Sequence, residues 1–189
     1  MVDKWTRLSR EAAGPSQPVW LVLQAHDLTY RNFKQAVKEL GPPIRPSCQE
    51  TRCMAFLALA NGATGLIWYW SPNRMYHLRN DAPKVWKGLC DVVHELNGLM
   101  PYLVARRTAD PPEVPEPFRT WSRRSGGQRV LAIVNSSAKP ATLHLDLGHW
   151  RVSTLRLRRT GKAVALLDGK LTAAFEPHEV RVYEWQTRR

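Results

Sequence analysis

The hydrophobic period of this chain changes once, and that change limits what it can fold into. Up to Met100, apolar residues come in short unbroken runs separated by segments with helical spacing. Beyond the proline-rich stretch Asp110–Pro117 they alternate with polar residues. An unbroken run of strand length reads as a strand buried on both faces, as in a parallel sheet. Strict alternation reads as a strand with one face in a core and one in water. The sequence therefore predicts two structural regimes joined by a stiff connector.

In the first regime, residues 2–13 read as a short helix, with Val2, Trp5, Leu8 and Ala12 at helical spacing and Gly14-Pro15 as its stop. Val19–Leu23 is the first buried strand and ends in Gln24, His26 and Asp27. Tyr30–Leu40 carries a helical stripe of Phe33, Val37 and Leu40, broken by Gly41-Pro42-Pro43. Ser47 and Glu50 form a capping-box pattern for a helix over 48–60, with Gly62 at the left-handed stop. Gly65–Trp70 is the second buried strand, and a further helix runs from Ala82 to Leu96 with Asp81 as its cap. The order strand, helix, strand, helix argues for βα units. In the second regime, seven short alternating strands fit a small antiparallel sandwich, and Ser125-Gly126-Gly127 joins the first two as a hairpin. The resulting fold class is α/β plus all-β. The domains are expected at residues 1–103, with a connector at 104–117 and the sandwich at 118–189.

Other properties exclude several function classes. Apolar residues make up 43% of the 189, with 8 Trp, which supports a core. No apolar stretch approaches the length of a membrane span, and the first twenty residues contain no apolar signal core, so localisation is left open. Three Cys argue for free thiols. Cys48 and Cys53 lack the partners of a zinc site, so no metal and no cofactor is expected. The net charge is +12: residues 1–100 hold 12 Lys and Arg against 8 Asp and Glu, and the remainder 16 against 8. The surplus is mostly Arg spread over strand positions. It reads as surface charge, with no specific nucleic-acid motif and no membrane partner. A basic polyanion-binding protein is the last-ranked alternative.

Specific segments resemble the C-terminal end of a bacterial glycoside-hydrolase-like protein with a (β/α)8 barrel. Pro18–Ala25 resembles the seventh barrel strand. Arg45-Pro46-Ser47, Glu50 and the run Ala58–Trp70 resemble the seventh helix and eighth strand. Leu131–Ser137 and Phe175–Tyr183 resemble the β-sandwich that follows such barrels. A complete barrel needs roughly 250 residues, so this chain holds only its last βα units.

The resemblance implies carbohydrate chemistry at the rim where the strands end. Gln24, His26, Trp68, Tyr69 and Trp70 are the candidate sugar-binding residues: indole and phenol faces stack on sugar rings, and the polar groups suit hydroxyls. Hydrolysis needs two flanking carboxylates. The fourth strand of the family, which carries the acid/base, has no counterpart here, and the seventh ends without a Glu. Asp27 is the nearest candidate catalytic residue. The expectation is a portion lacking complete catalytic machinery by itself, with a non-catalytic carbohydrate-binding module as the alternative. Two βα units alone leave an open sheet edge, which predicts self-association or pairing with the missing barrel portion. The sandwich is expected to fold on its own.

Overall fold

The computed structural model describes residues 2–25, 45–70, 77–105 and 111–187. The expected helix at 30–40 and the candidates His26 and Asp27 lie outside the described residues. The chain divides into two compact units, residues 1–95 and 96–189.

The first unit contains helix α1 (Val2–Ala13), strand β1 (Trp20–Gln24), helix α2 (Cys48–Ala60), strand β2 (Gly65–Tyr69), the short helix α3 (Leu78–Asp81) and most of helix α4 (Pro83–Gly98). β1 and β2 pair in parallel, from Trp20 opposite Gly65 to Gln24 opposite Tyr69. Thr64 sets that register: its hydroxyl accepts from the Val19 N–H at 3.0 Å, and its own N–H donates to the Val19 carbonyl at 2.8 Å. The capping box forms as the sequence predicts, with Glu50 N–H donating to Ser47 Oγ and Ser47 N–H to Glu50 Oε2 at 2.8 Å. Gly62 ends α2 at φ +88, a conformation that favours glycine. The almost wholly apolar face of α2 buries Cys53, Ala55, Phe56, Leu57, Ala58 and Leu59.

Helix α4 packs closely on α2, because Gly88 faces Cys48: a Cβ at Gly88 would lie 2.6 Å from Cys48 Sγ and 3.0 Å from its Cα. A two-pronged ion pair adds to that contact, Arg52 Nε and Nη2 each donating to Glu95 at 2.7 Å. Glu95, which reads as a solvated residue in sequence, is therefore a partly buried pairing group. Asp81 also differs from expectation. It closes the separate helix α3, and its carboxylate accepts from the His77 N–H at 2.6 Å instead of capping α4. Pro83 opens α4 and has no N–H to cap, so that end needs no acidic residue. In α1 the buried residue is Thr6, while Trp5 and Leu8 of the expected stripe are exposed.

Among the described residues, the strands of this unit are not buried on both faces. Leu23 is fully buried, but Trp20, Val22, Ile67 and Tyr69 are 67%, 60%, 45% and 41% exposed. Side chains alternate across a strand, and in register these four share one side of the pair. That side is an apolar face without a covering layer among the described residues.

The second unit begins in the last turn of α4, continues through α5 (Met100–Leu103), and builds two antiparallel sheets. The larger has the order β3-β4-β9-β6-β7, formed by Phe118–Ser125, Gln128–Asn135, Val180–Gln186, Thr154–Leu157 and Ala163–Ala165. The smaller pairs β5 (Ala141–Asp146) with β8 (Lys170–Phe175). The alternating apolar positions of both sheets meet in one cluster, including Phe118, Leu131, Ile133, Leu143, Leu145, Leu155, Leu171, Phe175, Tyr183 and Trp185. Phe118 and Phe175 meet edge to face at 5.3 Å. Residues of the proline-rich stretch lie along this unit: Val114 packs on the cluster, and Pro112 and Pro117 carbonyls accept from Thr120 and Ser136.

Buried Asn135 closes the end of β4. Its amide nitrogen donates to the Lys139 and Glu176 carbonyls, at 2.8 and 3.0 Å, and its oxygen accepts from Ser137 N–H. An amide committed in this way is no glycan acceptor, although Asn135-Ser136-Ser137 matches a sequon.

Candidate functional site

Parallel pairing brings the C-terminal ends of β1 and β2 to one rim. Beyond them, Ala25 N–H donates to the Tyr69 carbonyl at 2.9 Å, which extends the pairing by one residue. A pocket of about 250 Å³ opens at this rim. Its lining comes from Ala25, from Trp68 and Trp70 on and after β2, from His77, Leu78 and Arg79 at α3, and from Trp86 and Leu89 on the first turns of α4.

Local chemistry explains the arrangement. Trp68 and Trp70 are two residues apart in extended chain and so project to the same side. Trp86 and Leu89 are three apart on a helix and so share a face. The floor is apolar, with Ala25, Leu78, Ala82 and Val85 buried together and Trp68 and Leu89 packed on them. Trp70 and Trp86 are exposed at the mouth. The Asp81 carboxylate holds the His77 backbone, and Arg45 Nη1 donates to the Asp81 carbonyl at 3.0 Å, which steadies the α3 side of the rim.

The polar groups are mostly donors. The Trp68 indole N–H is buried and has no acceptor among the described residues. Arg79 and His77 add a guanidinium and an imidazole to the lining. None of the described lining residues carries a carboxylate. Such a pocket can stack a ring against indole faces and donate to its hydroxyl or ring oxygens. It lacks, among those residues, the acid and base that hydrolysis needs.

Of the candidates read from sequence, Trp68 and Trp70 line the pocket. Gln24 and Tyr69 stand opposite each other in the strand register and are not among its lining residues. His26 and Asp27 follow Ala25 directly but lie outside the described residues. His77, Arg79 and Trp86 were not singled out by sequence reasoning.

Among the described residues, no group of three or more His, Cys, Asp or Glu could hold a metal ion. Cys53 is buried, and burial pushes its thiol up to about 12, which leaves it protonated and a poor ligand near neutrality. No described helix is long and apolar enough to cross a membrane.

No protein-family model matches the sequence, and no curated protein matches it. Solved structures do. An Anoxybacillus α-amylase, described as a new glycosyl hydrolase subclass, is 15% identical with a TM-score of 0.59; the match covers 100% of this chain and 46% of that one. A Geobacillus stearothermophilus GH27 β-L-arabinopyranosidase is 18% identical with a TM-score of 0.57, covering 97% of this chain and 39% of that one. A Geobacillus thermoleovorans α-amylase, solved with acarbose, is 14% identical with a TM-score of 0.57, covering 88% and 38%. At these identities the likeness is one of fold. The chain spans less than half the length of the structures it matches, and its helices and antiparallel sheets are arranged as in part of these glycoside hydrolases, consistent with a C-terminal portion.

Proposed function

We propose that this chain is the C-terminal part of a glycoside-hydrolase-like protein, that it binds oligosaccharide at the β1–β2 rim, and that it does not hydrolyse it unaided. In this reading residues 1–103 are the last βα units of a (β/α)8 barrel, 104–117 the connector and 118–189 an accessory β-sandwich. The observation that carries it is the pocket of three tryptophans at the strand ends, the place where barrels of this kind keep their active sites. The solved structures of similar fold support a sugar ligand: AmyP was determined with maltose, and the Geobacillus thermoleovorans α-amylase with acarbose. Further barrel units are the natural cover for the open face of Trp20, Val22, Ile67 and Tyr69, since parallel sheets are covered on both sides.

Maltotriose titration followed by tryptophan fluorescence tests the binding half. Saturable quenching is expected, weakened about tenfold in Trp70→Ala by loss of one stacking face. No response to maltotriose or to galacto-oligosaccharide would refute it. An aryl α-glycoside assay tests the second half. No turnover is expected, and turnover abolished by Asp27→Asn would show that the chain is catalytic and that Asp27 takes part.

A further inference from the structure

The arginines on and beside the strands of the second unit differ in their partners. Arg119, Arg158 and Arg181 hold Glu116, Glu184 and Glu179 at 2.6–2.7 Å. Arg124 and Arg129 have no carboxylate partner among the described residues, yet they stand directly opposite each other on β3 and β4. Like charges in that register repel.

Their surroundings form a frame. Trp185 of β9 is the other cross-strand neighbour of Arg129. Trp150, from the short 3-10 turn Gly148–Trp150 after β5, stacks on Trp185 with centroids 5.2 Å apart and 27° between planes. The Arg129 guanidinium lies over the Trp150 ring, its Cζ 4.4 Å from the centroid. His149 meets the same indole edge to face at 5.1 Å. The Arg129 Nε–H is buried without an acceptor. Burial, and secondarily Arg124, lowers the pKa of Arg129, so its charge is held where it is disfavoured.

We propose that Arg124 and Arg129, framed by Trp150, Trp185 and His149, form a binding site for an oxyanion carried on a saccharide, the carboxylate of a uronic acid or a sulfate ester. A guanidinium held over an indole face can keep N–H groups directed away from the ring, and such groups can grip a carboxylate or sulfate with two hydrogen bonds. An anion between the two arginines removes their mutual repulsion. The saccharide half of this assignment rests on the carbohydrate reading above; the oxyanion half rests on the arginines alone. The site lies in the second unit, and the tryptophan pocket in the first.

Calorimetric titration of the full chain with digalacturonate, a chondroitin sulfate tetrasaccharide, inorganic sulfate and maltotriose tests it. The two acidic saccharides are expected to bind, more weakly at higher salt. Arg124→Gln, at an exposed position, is expected to weaken that binding about tenfold, and Arg129→Lys similarly, by keeping the charge but losing the fork. Lys162→Gln, exposed on the turn before β7, is expected to leave it unchanged. Far-UV circular dichroism checks that each variant is folded; Arg124→Gln keeps the test decisive should Arg129→Lys unfold. No binding beyond that of maltotriose would overturn the site. Equal loss in Lys162→Gln would overturn it in favour of diffuse attraction. Binding of inorganic sulfate alone, or tighter Arg124-dependent binding of a mixed-sequence DNA duplex, would overturn the saccharide assignment. Maltotriose binding lost in Trp70→Ala but acidic-saccharide binding retained would separate the two readings.

Discussion

The two units bury their apolar residues in opposite ways. The second closes one core on itself: inward positions of two antiparallel sheets meet in one cluster, and the other face of β3, β4 and β9 is also largely buried, at Trp121, Val130, Ala132, Val134, Val180 and Val182. The first has a well-buried helix, α2, but leaves one side of its parallel strand pair in the open. Antiparallel strands can leave one face to water because their sequences alternate. Parallel strands with apolar residues on both faces need a layer on each side. Among the described residues the first unit provides one such layer. The difference lies in exposure: the apolar side chains of β4 in the second unit are buried, whereas Trp20, Val22, Ile67 and Tyr69 of the first are not.

The strongest test of that contrast is in the second unit's core. Phe175→Ala removes a fully buried ring that packs on Phe118 and lies under the Arg181 guanidinium. A loss of about 3–5 kcal/mol is expected, measured by urea unfolding. A loss under about 1 kcal/mol would mean that this core is not tightly closed. In the first unit, Gly88→Ala forces a Cβ against Cys48 where two helices meet. Helix propensity favours Ala by about 1 kcal/mol, but overpacking costs about 1–3 kcal/mol, so a modest net destabilisation is expected in a thermal melt. A stabilised variant would show that α2 and α4 are free to separate. The smallest effect on folding is expected from Val22→Asp on the open face, within about 0.5 kcal/mol, since Val22 is already solvated. The same change is expected to reduce self-association in sedimentation velocity. A large loss of stability would instead show that the face is covered within the chain.

Much of this was legible beforehand. The capping box at Ser47 and Glu50, the parallel order of β1 and β2, and the alternating strands each rest on local chemistry, and each lies within a residue or two of its expected limits. The site was legible in part. Trp68 and Trp70 stood out as aromatic residues at a strand end, and the pocket includes both. His77, Arg79 and Trp86 reach it only because α3 and the start of α4 fold back over the strands, a placement that no local pattern encodes. The misread residues share one cause. Asp81 and Glu95 look alike in sequence, as carboxylates on or beside a helix. Their partners, the His77 N–H and the Arg52 guanidinium, were chosen by packing. Trp5 and Leu8 had the right spacing for burial, but spacing alone does not say which neighbour exists to cover them.

The sequence by itself determined the elements and the two periods, because helix caps, turn glycines and the alternation of side chains act over a few residues. It also set the surplus of arginine. Tertiary structure decided which of those arginines are neutralised and which are not. Arg158 finds Glu184 26 residues away, a partner that only packing supplies, whereas Arg119 and Arg181 pair with neighbours in the chain and Arg124 meets Arg129 across a hairpin. It decided, too, that Trp20, Val22, Ile67 and Tyr69 lie exposed, because burial depends on the layers packed over a strand, and a strand's own residues do not specify them.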